Sequence, residues 1–314
     1  MKSDSKQAAG QLEHIWGLAS GDAKALDQVT LTGAEPALPG IYNVGVQAQA
    51  AIGAAGLAAA EIHKARGGPA QSVSVSMRHA AASFRSEQYI RLDGKPARDF
   101  FDSIHGFYKC GDGGWVQVHA NYPAHRMAVA ELLHCAYSRA GVQSVFDGMA
   151  AQEVEDLLSN NKLPVARMRS EDEWNAHPHS AALDAQPVLI LEKIGEADPK
   201  PLPPAGARPL EGLRVLDLTK VIAGPVCGRT LAAHGADVLQ ITAAHLAHVM
   251  PLVIDANRGK RSAYLDLRKA DQVARLKALA KGADVFAQGY RPGTLAARGL
   301  GPEQLAEENP GIVY

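Results

Sequence analysis

The residues whose types and spacing can do chemistry lie late in this 314-residue sequence, and they point to anion binding more than to covalent catalysis. Leu213-Arg214-Val215-Leu216-Asp217-Leu218-Thr219 reads as an apolar strand. The turn Lys220-Val221-Ile222-Ala223 and then Gly224-Pro225 follow it, with a helix expected from Val226 to Ala236 and a second strand from Asp237 to Thr242. Strand, tight turn, helix, strand places a helix N-terminus at the carboxyl end of a parallel strand, where backbone N–H groups meet anions. Pro225 suits the first helical position, because its missing N–H has no partner there in any case. A basic loop, Asn257-Arg258-Gly259-Lys260-Arg261, precedes a further strand, and Lys260 and Arg261 can meet phosphates from it. The ordinary alternative for such a run is a solvated face. Only Gly224 falls in the turn after the first strand, and the missing G-x-G-x-x-G argues against a dinucleotide dehydrogenase.

Other reactive side chains have no such arrangement. Cys110, Cys135 and Cys227 show neither metal spacing nor a CxxC pair, and read as reduced thiols of a cytoplasmic protein. Cys227 lies in the first turn of the expected helix, where the dipole can lower a thiol pKa, but a small buried hydrophobe is the commoner role. His234, His245 and His248 have no recurring carboxylate or thiol partner, so no metal site is expected. Net charge is −1, which implies no nucleic-acid partner. From Ala205 onward there are 14 Lys and Arg against 10 Asp and Glu, a mildly basic half suited to an anionic ligand. No run approaches the roughly 18 apolar residues of a membrane span, and Met1 to Lys6 carry no apolar signal core.

The elements that must position these residues follow from periodicity and punctuation. Residues 7–29 read as helical, and a long Ala-rich helix runs from about Val44 to Lys64, ended by Gly67-Gly68-Pro69. Gln71 to Met77 alternates as a half-buried strand, and Arg78 to Ile90 reads as helix. Phe107–Cys110 and Trp115–His119 flank Gly111-Asp112-Gly113-Gly114, a hairpin signal. Helices are expected at about 124–136 and 151–160, an extended segment at 163–168, a helix broken by Pro178 at 171–185, and a strand at 188–192. Pro201-Leu202-Pro203-Pro204-Ala205-Gly206 reads as a stiff linker and the best domain boundary.

The stretch after Leu210 resembles the family III CoA-transferases, the group of formyl-CoA transferase and the carnitine-CoA transferases, and is similar to α-methylacyl-CoA racemase. The residues that carry this are Gly212 to Thr219, Ala223-Gly224-Pro225, Gly235-Ala236-Asp237-Val238, Asn257 to Ser262 and Leu265-Asp266-Leu267. Ala283-Asp284-Val285, Tyr290-Arg291-Pro292-Gly293 and Asn309 to Tyr314 complete the series, in order and at family-like spacing. Ala51-Ile52-Gly53, His63 to Gly68 and Val73 to Met77 resemble the second half of the same family, and the hairpin around Trp115 resembles its small domain. Second-half elements therefore precede first-half elements, which predicts a fused double protein. Gly311-Ile312-Val313-Tyr314 reads as the start of a buried strand, which predicts a fragment of a longer enzyme.

The resemblance implies an α/β fold: an incomplete Rossmann-like parallel-sheet CoA-binding domain over 204–314, preceded over 1–203 by an α+β module like the family's back half. It implies transfer of CoA between carboxylic acids through an Asp acyl-enzyme. An acyl-CoA racemase or epimerase, and a non-catalytic CoA-binding or scaffold protein, are the alternatives. CoA or acyl-CoA is then a substrate, with no permanently bound cofactor. The partners are a CoA thioester and a small carboxylic acid, and the chain pairs as a homodimer or internally as a double chain. The family's catalytic Asp aligns with Val46, so no catalytic residue is assigned. The turn Lys220, Val221, Ile222 and Ala223 would hold adenine and phosphates, and Thr242-Ala243 stands where the family has a Glu-Arg pair. Leu265 and Arg268 match a Leu-Asp-x-Lys pattern, Gly289 and Tyr290 match an Asn-Phe pair, and Arg298 neighbours Ala297, which stands where the family has an Arg. Replacing Lys260 and Arg261 together by Ala is expected to weaken CoA binding without unfolding the chain.

Overall fold

A computed structural model describes residues 3–96 and 101–314; Met1, Lys2 and residues 97–100 lie outside the described residues. Packing divides the chain into two compact units, Met1–Ala97 with Val188–Tyr314, and Arg98–Pro187. The first unit opens with α1 (Ser3–Leu18), a 3-10 turn at Ala23–Gln28, β1 (Val29–Thr32), α2 (Val44–Ala65) and β2 (Val73–Ser76). Strands β1 and β2 pair in parallel from Val29↔Val73 to Thr32↔Ser76, so α2 is the crossover that parallel pairing requires. Small residues let α2 lie close to its neighbours: a Cβ on Gly56 would stand 3.0 Å from Val73 Cγ1. The buried Gln49 amide of α2 donates to Thr32 O at 2.8 Å and Val75 O at 2.7 Å, tying the helix to the ends of both strands. Then come α3 (Met77–Phe84), α4 (Ser86–Tyr89) and a two-residue hairpin of β3 (Arg91–Leu92) and β4 (Lys95–Pro96).

The second unit is an antiparallel sheet of β5 (Gly106–Lys109), β6 (Trp115–Val118) and β7 (Val165–Arg167) with α5 (Pro123–Leu132), α6 (Arg139–Phe146), α7 (Ala151–Asn160), α8 (Glu171–Asn175) and α9 (Pro178–Asp184). Its core gathers Ile104, Tyr108, Val116, Val118, Phe146 and Leu158. The expected hairpin forms at Gly111–Gly114. Asp112 closes it by accepting from Gly114 N at 2.9 Å, and its other oxygen accepts from Ala151 N at 3.1 Å at the start of α7. Glu155 on α7 accepts from Arg169 at 2.5 and 3.0 Å and from Arg167 N at 2.8 Å, which staples α7 to the end of the sheet.

Back in the first unit, β8 (Arg214–Leu218), α10 (Ala223–Ala233), β9 (Asp237–Thr242), α11 (Met250–Ala256), β10 (Arg261–Tyr264), α12 (Ala270–Ala280), β11 (Val285–Gln288) and α13 (Pro302–Glu308) follow. The strands form one parallel sheet in the order β10-β9-β8-β11. Numbered from its own first strand the order is 3-2-1-4, that of a Rossmann half. Val313 adds a parallel bridge to Val285 outside β11, and the Tyr314 ring stacks on Phe286 at 5.4 Å. The Rossmann-like α/β reading thus holds for this sheet.

Several expectations need correction. Residues 7–29 are not one helix: Asp22 accepts from Lys24 N at 3.0 Å and starts a separate turn, and Val29-Thr30-Leu31-Thr32 alternates into β1. Residues 188–192 form no strand; Val188 and Leu191 are exposed, because no neighbouring edge pairs with them. Pro201–Gly206 does not separate the compact units. It is strapped to the end of α2 by Arg66, whose buried guanidinium donates to Pro203 O at 2.7 Å, Pro204 O at 2.9 Å, Pro209 O at 2.5 Å and Glu211 O at 2.6 Å. Ala205 N returns a bond to Arg66 O at 3.0 Å. One turn earlier, Ile62 packs against the core of Leu210, Val215 and Val238.

Arg66→Ala should therefore cost roughly 2–3 kcal/mol in a denaturant titration, since charge-assisted bonds are lost together and part of the carbonyl hydration is recovered. Arg66→Lys should recover less than half, because one ammonium cannot reproduce a planar fork. In the second unit, the Arg169 hydrogen bond holds the Glu155 carboxyl down at about 2 against an ordinary 4.5. A depressed acid stabilises fully above its unfolded pKa and loses that contribution as pH falls toward its folded one. Glu155→Gln should cost roughly 3 kcal/mol at neutral pH, and the gap to the unsubstituted chain should close between pH 4.5 and 2. Unfolding followed through Trp115 and Trp174 reads this unit.

Candidate functional site

The site starts from the strand order. Between β8 and β11 the winding reverses, and α/β sheets take ligands in the crevice outside the carboxyl ends at that point. The chain leaves β8 through Thr219-Lys220-Val221-Ile222 and leaves β11 through Gly289-Tyr290, so these two expected contacts flank the same switch point. Asp217 fixes the exit from β8: buried in the strand, it accepts from Thr219 N at 2.9 Å and from the Thr219 hydroxyl at 2.5 Å. Val221 then takes φ 72°, a left-handed conformation that a β-branched residue adopts only under constraint. Its side chain and that of Ile222 are left 45% and 48% exposed at the carboxyl end of the sheet.

Helix α10 begins at Ala223, three residues before the expected start, so Pro225 sits inside the first turn rather than at its first position. Its missing N–H is harmless there, because the first four N–H groups of a helix have no intrahelical partner. Gly224 and Gly228 face β8. A Cβ on Gly224 would stand 2.3 Å from Thr219 Cβ, and one on Gly228 2.3 Å from Asp217 Oδ2. Only glycine lets the helix approach the strand this closely.

Two cavities open at this end of the sheet. The larger, of about 320 Å³, is lined by the turn Val221–Ala223, by α10 and α11, and by Ile52 of α2 with residues of α3 and α4. Its polar corner is closed on itself. Arg229 meets Asp255 at 2.6 Å, Ser86 donates to the same carboxylate at 2.7 Å and accepts from Arg229 at 3.0 Å, and Arg258 takes the other oxygen at 2.9 Å. The smaller cavity, of about 80 Å³, brings together Leu265, Arg268, Tyr290 and Arg298 with His245. Arg268 grips Asp266 at 2.8 and 2.7 Å and holds that carboxyl well below the usual range. Arg298 donates to Leu267 O at 3.0 Å and Thr294 O at 2.7 Å. Burial raises the Tyr290 phenol and lowers the Lys220 ammonium.

The expected contacts therefore fall into two groups. Val221, Ile222 and Ala223 line the larger cavity; Leu265, Arg268, Tyr290 and Arg298 line the smaller; Lys220 and Gly289 adjoin them along the chain. Lys260 and Arg261 depart from expectation. The Lys260 side chain is fully buried, with its ammonium 2.7 Å from Asp217 Oδ2 and 2.8 Å from Pro225 O. Arg261 pairs with Asp237, and both residues start their strands, at the amino edge opposite the cavities. A solvated phosphate loop is thus replaced by an internal ion pair and a strand-edge pair, and the expectation that their joint removal spares the fold is withdrawn.

Val46 is buried against Ala8 and Met77 near the start of α2. A carboxylate does reach this helix start, from an unexpected position: Glu35 accepts from Val46 N at 3.0 Å and from Ala37 N at 2.6 Å. Nothing in the local sequence marks Glu35 as a cap 11 residues ahead of the helix position it serves. The Ser86–Arg229–Asp255 corner was equally invisible, because it joins residues up to 169 apart. Cys227 is exposed rather than buried, although its thiol still feels Asp217 and Lys260. Among the described residues no three His, Cys, Asp or Glu are grouped to hold a metal ion.

The sequence matches CoA-transferase family III over residues 20–188 and 210–314, and the chain belongs to that family. It is similar to the probable fatty acyl-CoA transferase Rv3272 of Mycobacterium tuberculosis, 36% identical over 121 residues, which is 34% of this chain and 31% of that protein. It is also similar to the alpha-methylacyl-CoA racemase of Mus musculus, 36% identical over 105 residues, 33% of this chain and 26% of the racemase. A crystal structure of Rv3272 aligns with 38% identity over 34% of this chain and 32% of that one, at a TM-score of 0.33. The chain thus spans about a third of the length of these relatives.

The Asp217–Lys260 pair can be tested as an internal support. Lys260→Met leaves a buried carboxylate without its cation and should cost about 3–5 kcal/mol. The double change Lys260→Met with Asp217→Leu should recover only part of that loss: the unpaired charge is removed, but the buried Thr219 N–H and hydroxyl lose their acceptor. Denaturant midpoints for the unsubstituted chain, the two single variants and the double variant, closed as a double-mutant cycle, give the coupling directly.

Proposed function

We propose that this chain binds CoA through its parallel-sheet domain, as part of an enzyme that moves CoA between carboxylic acids. The observation that carries this is the convergence of Lys220–Ala223 and Gly289–Tyr290 on the switch point of a 3-2-1-4 sheet in a member of CoA-transferase family III. In this reading the adenosine lies between the turn and Tyr290, whose aromatic face suits a purine. Arg298, held by the Leu267 and Thr294 carbonyls, supplies positive potential beside it. Lys220, its ammonium depressed by burial, gains a reason to stay charged when an anion arrives. CoA is a substrate here, and the second substrate is a small carboxylic acid.

In the reaction the family resemblance implies, a carboxylate attacks the thioester carbonyl, expels the CoA thiolate and becomes an acyl anhydride. Val46 has no oxygen with which to do this, so the acyl-accepting group is not supplied at that position. The identity with the mouse racemase supports a second reading, proton transfer at the carbon next to the thioester carbonyl of an acyl-CoA. Either enzyme uses the same CoA domain. We place the work in the cytoplasm, with the chain pairing as a homodimer or internally as a double chain.

Calorimetric titration of the folded 314-residue chain with CoA should show one saturable site, and acyl exchange between a CoA thioester and a free acid should be absent. Robust exchange would mean that a carboxylate other than one at position 46 accepts the acyl group. Absence of CoA binding would remove the reading.

A further inference from the structure

The cavity of about 320 Å³ beside the turn has a chemistry of its own. Its size lies within the range of small-molecule sites. Carbon dominates its walls: Ile52 of α2, Phe84 of α3, Val221 and Ile222 of the turn, Val226 of α10 and Leu252 of α11. Phe84, Val221 and Ile222 keep 46%, 45% and 48% of their surface in reach of solvent, so this wall has apolar area still to be covered. The strained backbone of Val221 holds a branched side chain where glycine would have relieved the strain and left no wall.

The charges of the cavity decide what it rejects. Arg229 is the cation among its described lining residues, and it is already matched by Asp255 at 2.6 Å. The same carboxylate also holds Ser86 at 2.7 Å and Arg258 at 2.9 Å. Glu87, at the lining, stands 3.7 Å from Arg85. A carboxylate entering this space would leave water and find the lining cation already engaged by Asp255, with Glu87 also at the wall, which is unfavourable. A hydrocarbon chain would lose only its hydration shell, which is favourable.

We propose that this cavity receives the acyl chain of an apolar acyl-CoA thioester and disfavours acyl groups that end in a carboxylate. The inference rests on the assignment of Lys220–Ala223 and Tyr290 to CoA: with the adenosine on the Tyr290 side of the turn, the pantetheine arm passes over Val221 and Ile222, and the cavity beyond them takes the acyl group. It assigns a substrate class to the site, and it makes Ile52 of α2 and Leu252 of α11 specificity-determining walls.

Calorimetric titration of the full chain with CoA, octanoyl-CoA and succinyl-CoA tests this. Octanoyl-CoA should bind at least roughly tenfold tighter than CoA, from the added apolar burial, and succinyl-CoA no tighter than CoA. Ile52→Trp and Leu252→Phe fill the cavity from opposite sides. Each should abolish the octanoyl advantage while leaving CoA affinity within about twofold, a pattern that general loosening of the fold would not give. Two separate fillings keep the test decisive if one variant fails to fold, as circular dichroism would show. Equal affinity for CoA and octanoyl-CoA in the unsubstituted chain, or a succinyl-CoA affinity matching octanoyl-CoA, overturns the acyl pocket and leaves the CoA site standing. If CoA itself does not bind, the CoA reading fails and this inference falls with it.

Discussion

Asp217 is the group around which the sheet domain is arranged. It sits inside β8 with no solvent exposure, and three donors meet it: Thr219 N, the Thr219 hydroxyl and the Lys260 ammonium. These donors serve two structural decisions. The two Thr219 bonds set the direction in which the chain leaves the strand. Lys260 comes from the start of β10, two strands away, and also donates to Pro225 O in the first turn of α10. One carboxylate therefore relates a strand, its exit turn, the following helix and a distant strand. Gly228 belongs to the same arrangement, because a Cβ there would collide with Asp217 Oδ2. A buried ion pair adds little net stability against an apolar substitute, but it tolerates few alternative geometries. That restriction suits a site whose turn must be held in an unfavourable backbone conformation.

The turn is then enclosed from outside the sheet. Helices α2, α3 and α4 come from the first 97 residues, yet Ile52, Phe84 and Ser86 line the same cavity as Val221 and Ile222. The Ser86–Arg229–Asp255 corner bonds the two segments directly. Its closure has two effects. It anchors α4 to α10 and α11, and it removes positive charge from the cavity, leaving hydrocarbon as the surface a ligand meets. Positive charge is kept instead around Tyr290, where Arg298 bonds backbone carbonyls. In the proposed reading, the polar and apolar halves of an acyl-CoA take these different places.

What the sequence disclosed follows how local each feature is. The strand Asp237–Thr242, the hairpin at Gly111–Gly114 and the helix Ala151–Asn160 are written in short-range patterns, and each forms as read. Strand β1 was hidden because its four residues are a short run after a helical pattern, although Ser20-Gly21-Asp22 breaks that helix. Helix α6 escaped because Gly141 and Ser144 dilute its apolar face. Lys260 looked like a phosphate ligand because a basic loop and a buried ion pair have the same composition; only the three-dimensional position of Asp217 tells them apart. Glu35 and Asp255 act on residues far along the chain or on other elements, and no period in the sequence reports such partnerships.

The strap at Arg66 bears on how the chain comes into being. The carbonyls that satisfy this guanidinium lie 137 to 145 residues further along. During synthesis at about 5–20 residues per second, the first βαβ element is complete long before those carbonyls leave the ribosome. For that interval α2 presents a charged end with no internal acceptors and, one turn back, an Ile62 without its core. The intervening Arg98–Pro187 has its own hydrophobic core and can form meanwhile. The amino-terminal element must therefore wait, partly open, for a late-arriving mate.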